Sequence, residues 1–218
     1  MTRDEFAAAL DVSRETLEKL RLFQQLVGSW QPRVNLVGRA TLPDIWRRHF
    51  LDSAQLFEFL APGDETVVDL GSGAGLPGLV LALLAEERLW PTGFHLVEAD
   101  TRKAAFLVEV RRALSLGERV SVHAVRAESL AVGPLAGAAS VVTARALAPL
   151  ATLCGLAAPL LRTDGRCVLP KGARHEAEIA GAREAGWRFA LETRASRTEE
   201  GAAILVLRDL ARDSRGGI

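Results

Sequence analysis

The chain has 218 residues, 49% of them hydrophobic, and its 27 basic residues balance 27 acidic ones to a formal net charge of zero. That is enough apolar content for one generous domain or a domain with a small appendage, and the balance excludes a uniformly basic nucleic-acid-binding surface. Apolar segments break off short of the roughly 20 residues of a membrane span, Met1-Thr2-Arg3-Asp4-Glu5 opens into a helical pattern rather than a leader, and Cys154 and Cys167 lack metal-ligand spacing, so a cytoplasmic protein is expected.

Residues 3 to 60 read as helical. Ser13 can cap a helix whose Leu17, Leu20, Phe23, Leu26 and Val27 form an apolar stripe ending at Gly28, and Pro32 blocks continuation. A second helix is expected from Thr41, which with Asp44 makes a capping-box-like start. Ile45, Trp46, Phe50, Ser53, Phe57 and Leu60 recur along it at helical spacing. Pro62-Gly63 ends this stretch, so residues 1–62 are expected as a helical appendage and 63–218 as the main domain.

From residue 65 the pattern alternates strand and helix, the sign of an α/β fold with a doubly wound, mostly parallel sheet. Val67 to Leu70 form the first strand, which turns through Gly71, Gly73, Gly75 and Gly78 into an apolar helix. Glycines there let a ligand approach the backbone, and the helix start aims unpaired N–H groups at it. Gly73-x-Gly75-x-x-Gly78 fits a dinucleotide fingerprint, whereas Asp69-x-Gly71-x-Gly73-x-Gly75 fits the loop of S-adenosylmethionine (SAM) enzymes. Asp69 favours the latter, since a carboxylate suits an ammonium and a sulfonium better than a pyrophosphate. So many glycines lose too much chain entropy to be kept for a bare turn.

Strand Phe94-His95-Leu96-Val97-Glu98 ends in an acid placed to accept ribose hydroxyls, against the blander reading of an exposed strand-end Glu. A helix with Phe106, Leu107 and Val110 follows, then strand Val120 to Val125 and the loop Arg126-Ala127-Glu128-Ser129, which lies over the adenine in folds of this type. Strand 139–144 leads into Arg145. A helix, a strand around Cys167-Val168-Leu169 and the basic exit Pro170-Lys171-Gly172 come next. Trp187 to Leu191 and Ala203 to Leu207, joined by about eleven residues, read as a closing hairpin. An antiparallel last strand on a parallel sheet is the methyltransferase arrangement. Arg47-Arg48-His49, Arg102-Lys103, Arg111-Arg112 and the pair Arg194, Arg197 are local basic clusters, each more readily read as a solvated helix face or loop than as a binding patch.

Asn35-Leu36-Val37, Arg48-His49-Phe50-Leu51-Asp52-Ser53, the run Asp69 to Gly78, Arg102-Lys103 with Phe106-Leu107, Arg126-Ala127-Glu128, Thr143-Ala144-Arg145-Ala146 with Pro149-Leu150, and Lys171-Gly172 together resemble the bacterial 16S ribosomal RNA guanine-N7 methyltransferases (RsmG, or glucose-inhibited division protein B). The resemblance runs unbroken from about residue 15 to 210. It implies a class I SAM-dependent methyltransferase fold with a seven-stranded sheet, SAM as cofactor, and contacts to it at Gly71, Leu76, Ala127, Glu128 and Arg145. It also implies a guanine in the 530 loop of 16S ribosomal RNA, free or in the small subunit, as target; a monomer is expected. Glu98 stands where the family often has Asp, which keeps the carboxylate.

A pyrimidine-carbon methylase needs a reactive thiolate, but Cys154 and Cys167 lie in core-like patterns. An adenine-amine methylase favours an Asn/Asp-Pro-Pro-aromatic loop, and this chain has Ala144-Arg145-Ala146-Leu147 there and no tyrosine. Guanine N7 has an in-plane lone pair and no proton to lose, so catalysis reduces to alignment. Arg145 is the residue expected to orient cofactor or guanine O6, a structural ion pair being its alternative role. Cofactor binding is expected of Asp69, Gly71, Gly73, Gly75, Leu76, Glu98, Ala127, Glu128 and Arg145, and RNA binding of Arg48, Arg102, Lys103, Lys171 and Arg197. His49 reads as packed rather than catalytic, and the four histidines form no metal set. An NAD-dependent oxidoreductase and a non-catalytic nucleotide-binding protein remain as alternatives.

Overall fold

The computed structural model describes residues 1–213. Helix α1 (Arg3–Leu10) starts at a capping box, with the Thr2 hydroxyl accepting from the Glu5 N–H and the Glu5 carboxylate accepting from the Thr2 N–H. Helix α2 (Arg14–Trp30) is capped by Ser13 and buries Leu20, Phe23 and Val27, as its stripe demands. It passes the expected stop at Gly28, where a side chain would meet nothing, and ends at Gln31 before Pro32. The Gln31 amide then clasps the turn, its Oε1 accepting from the N–H groups of Leu36 and Val37 and its Nε2 donating to Val37 O at 2.7 Å.

The second expected helix is broken. It runs as a 3₁₀ turn (Arg39–Asp44), a π turn (Trp46–Leu51), the α-helical turn α3 (Asp52–Ala54) and a further 3₁₀ turn (Gln55–Phe59). Thr41 does not cap it, because its hydroxyl donates to Gly38 O and meets the His49 ring. The extra residue of a π turn is tolerated where tertiary contacts hold it. Here Trp46 and Phe50 pack edge-on at 5.1 Å, Phe50 meets Phe23 at 5.4 Å, and the polar His49 and Asp52 are presented on the other side.

Seven strands form one sheet in the order β3-β2-β1-β4-β5-β7-β6: β1 (Thr66–Leu70), β2 (Gly93–Val97), β3 (Val120–His123), β4 (Ala139–Ala144), β5 (Leu161–Lys171), β6 (Trp187–Ala195) and β7 (Ala203–Arg212). The first five pair in parallel, and β7 runs antiparallel to both neighbours. The doubly wound, mostly parallel sheet expected from the alternating pattern is therefore what forms. The closing hairpin has longer strands than expected and a shorter link, 196–202. Helices α4 (Gly78–Glu87), α5 (Thr101–Ala113), α6 (Leu150–Ala157) and α7 (His175–Glu184) complete the layers, together with a 3₁₀ turn at Ala127–Ala131. Helix α7 has no counterpart in the sequence reading, because it buries only Ile179 and Ala182 in an otherwise polar, glycine-containing stretch.

One hydrophobic cluster joins Phe6, Leu20, Phe23 and Phe50 of the helical segment to α4, β1 and Phe106 of α5. Ser13 and Thr16 donate to Glu87, Lys19 pairs with Glu86 at 2.7 Å, and Arg166 of β5 clamps both Asp64 and Phe59 O. Residues 1–62 thus share a core with the sheet. A second cluster, on the opposite face, packs α6 and α7 against β4, β5 and β7.

Candidate active site

The strand order reverses between β1 and β4, and a cleft of about 730 Å³ opens beyond their carboxyl ends, the place where open α/β sheets bind ligands. Gly71 (φ 65°) and Gly75 (φ 82°) take left-handed conformations that only glycine adopts without strain. A side chain at Gly78 would strike Leu96 and Asp69, so glycine there lets α4 start against the sheet. The Ser72 N–H donates to Val97 O at 3.0 Å and its hydroxyl to Asp69 O at 2.8 Å, fixing the loop to both strands.

Two carboxylates frame this loop. Asp69 is buried, with Oδ2 accepting from the Gly78 N–H at 3.0 Å and Oδ1 without a partner among the described residues. Burial pushes its pKa up to about 7 against the pull of the Gly78 N–H, Ser72 and Arg145. Glu98 accepts from the Gly73 N–H at 2.9 Å and from the Asp100 N–H at 2.8 Å, one bond per oxygen, so each oxygen keeps acceptor capacity.

Arg145, just past β4, is held through one nitrogen. Its Nη1 donates to Asp52 Oδ2 (3.3 Å), His49 Nδ1 (3.1 Å) and Arg48 O (3.4 Å), while Nε and Nη2 have no protein partner among the described residues. Burial lowers its pKa, Asp52 opposes this, and a guanidinium stays charged throughout. Asp52 Oδ1 accepts from the Thr198 hydroxyl at 2.6 Å and from Gln55 Nε2 at 3.0 Å, and Gln55 Oε1 accepts from the Arg197 N–H at 2.8 Å. The ion pair weighed for Arg145 is present, and it leaves two donor nitrogens free for the cleft.

A family model described as rRNA small subunit methyltransferase G matches residues 16–198. Relatives of the name Ribosomal RNA small subunit methyltransferase G include those of Rhodospirillum centenum, 48% identical over 95% of this chain and 90% of theirs, and Cereibacter sphaeroides, 48% identical over 97% and 99%. This chain belongs to the rRNA small subunit methyltransferase G family. Among solved structures, a Geobacter sulfurreducens methyltransferase superposes with a TM-score of 0.57 at 11% identity, covering 88% of each chain. TYW2 of M. jannaschii, crystallised with AdoMet, superposes with 0.55 at 16% identity over 78% of each. These two likenesses show the fold of SAM-dependent methyltransferases.

In this member of the methyltransferase G family, Leu76 and Lys103 line the cleft, and Arg48 lines it while pairing with Glu199 at 3.1 Å. Lys171 also reaches it, but its ammonium is spent on Ala148 O (2.9 Å) and Glu178 (2.7 Å), which ties down the loop 145–149. Arg102 is exposed outside the cleft lining and bonded to Asp100, whose carboxyl it holds down at about 2. Ala127 and Glu128 open the 3₁₀ turn after β3 and also stand outside that lining. Arg197 faces a separate pocket with Arg166, Arg194 and Arg208, its guanidinium on Glu58. Both cysteines are buried, and burial raises the Cys154 thiol to about 11 and the Cys167 thiol further. Gln55 and Thr198 escaped the sequence reading. A glutamine set between the apolar Ala54 and Leu56 was the available signal for the first, whereas Thr198 sits in a link with no pattern.

Proposed function

We propose that this enzyme transfers the methyl group of SAM to N7 of a guanine in the 530 loop of 16S ribosomal RNA, acting in the cytoplasm as a monomer on that RNA or on the small subunit carrying it. The observation that carries the reading is a cleft whose guanidinium keeps unspent donors while its lining carboxylates Asp52, Glu178 and Glu199 are each paired with a cationic side chain. His49 is bonded at both ring nitrogens, and its pKa is driven down to about 4. Asp69 lies beneath the loop, outside the cleft lining. Methylating an amine or a pyrimidine carbon calls for a base or a thiolate, and N7 calls for neither.

The residues fit the cofactor. The glycine loop leaves backbone exposed where side chains would stand, Glu98 has an acceptor position left on each oxygen for ribose hydroxyls, and the unpartnered Asp69 Oδ1 favours a cationic ligand above it. When bound, SAM supplies an electrophilic methyl group on a sulfonium. Arg145 then donates from Nε and Nη2 toward the guanine O6 edge or the cofactor, while the Asp52 side keeps the guanidinium in place. Alignment of this kind can supply several kcal/mol.

N7 methylation leaves the guanine cationic and its ring labile to borohydride and aniline. The enzyme, SAM and small-subunit RNA lacking the modification should give one new scission at a guanine in the 530 loop. The single-turnover rate with SAM saturating should stay flat from about pH 6.5 to 8.5. No scission, or a steep dependence on a group titrating near 7, refutes the reading.

A further inference from the structure

The Arg145 guanidinium has only donors, so whatever holds it from behind must accept. Three acceptors converge on its Nη1: the Asp52 carboxylate, Arg48 O and His49 Nδ1. An imidazole serves there in one form alone. Nδ1 must be bare, which puts the proton of a neutral ring on Nε2, and Nε2 lies 2.7 Å from Thr41 Oγ1. The Thr41 hydroxyl hydrogen is committed to Gly38 O at 2.8 Å, so its oxygen faces the ring as an acceptor. Donors and acceptors alternate without conflict from Arg145 through His49 and Thr41 to the Gly38 carbonyl. His49 itself is buried.

We propose that His49 is a positioning residue for methyl transfer: a neutral, Nε2-protonated imidazole, its tautomer set by Thr41, whose Nδ1 holds Arg145 with its free donors toward the cleft. This rests on the reading that Arg145 faces cofactor and guanine. The charged groups around the ring are Arg145, Arg48 and Asp44, with Asp52 across the guanidinium. Burial and the two cations keep the ring neutral. A cationic ring would turn an N–H toward the Nη1 donor and push Arg145 off Asp52. His49 and Asp52, three residues apart at the π turn, meet the same guanidinium while Phe50 stays in the core.

Substitutions separate geometry from folding. An asparagine in place of His49 can set its amide oxygen where Nδ1 stands, whereas a glutamine there carries its amide out to the Nε2 position. In single-turnover methylation of unmodified small subunits at saturating SAM, H49N should retain most of the rate. H49Q and H49A should lose about 30-fold, the kinetic equivalent of one charge-assisted hydrogen bond. Thermal midpoints should not follow that order. Equal rates for H49N and H49Q, while R145A is inactive, overturn the proposal. Full activity of R145A would instead overturn the site reading beneath it. Independently of any variant, ¹⁵N NMR of histidine-labelled enzyme at pH 6 should show His49 neutral with the proton on Nε2, and a proton on Nδ1 at that pH also overturns the proposal.

Discussion

Asp69 is a carboxylate whose ionisation works against folding and for ligand binding. Its pKa is raised to about 7, so the folded chain holds a proton that the unfolded chain has released, and stability falls as pH rises from about 4 to 7 before levelling off. A cationic cofactor reverses the preference. SAM affinity measured by calorimetry should be weaker at pH 6 than at pH 8 by up to about tenfold, and D69N should remove most of that difference. Replacing Glu98 by Ala leaves the Gly73 and Asp100 N–H groups without their acceptor and takes away the ribose acceptor. SAM binding should weaken by about 1 to 3 kcal/mol, and unchanged affinity would count against Glu98. Both acids were legible in the sequence because each ends a strand. The role of Asp52 was legible only as part of a resembling motif, since its partners Arg145 and Thr198 lie far along the chain.

At the scale of elements, period and punctuation located most helices and every strand, and they failed where contacts outvote them. The helix expected from Thr41 gives way to a succession of turns, with Trp46 and Phe50 packed in the core and His49 and Asp52 on Arg145. Helix α7 escaped because a weakly apolar face leaves little periodic signal. It nonetheless matters to the cleft, since Glu178 of α7 accepts from both Lys171 and the Leu150 N–H at the start of α6. The mostly buried Lys171 side chain therefore braces the loop that follows Arg145. K171A should cost about 2 kcal/mol of stability, visible as a fall in the thermal midpoint, and should slow single-turnover methylation. A loss of RNA affinity with unchanged stability would show instead that Lys171 meets phosphate directly.

For the whole molecule, a net charge of zero sets how RNA can be held. Most arginines near the cleft are already engaged by carboxylates or carbonyls. That leaves Lys103, Arg174 and Arg48, whose partner Glu199 is itself exposed, as the cations most available to phosphate in the lining. With about three phosphates neutralised, the logarithm of RNA affinity should fall against the logarithm of salt with a slope of about −2 to −3. A slope of about −5 would require a larger basic surface than the cleft provides. The Arg145 support also has an order of assembly built into it. Asp52 belongs to the first quarter of the chain and Arg145 to its middle, yet the Thr198 hydroxyl that fixes the far oxygen of Asp52 arrives 146 residues after it. During synthesis the glycine loop and Arg145 emerge well before the link 196–202 does, so the guanidinium meets its complete support only once β6 and β7 have closed.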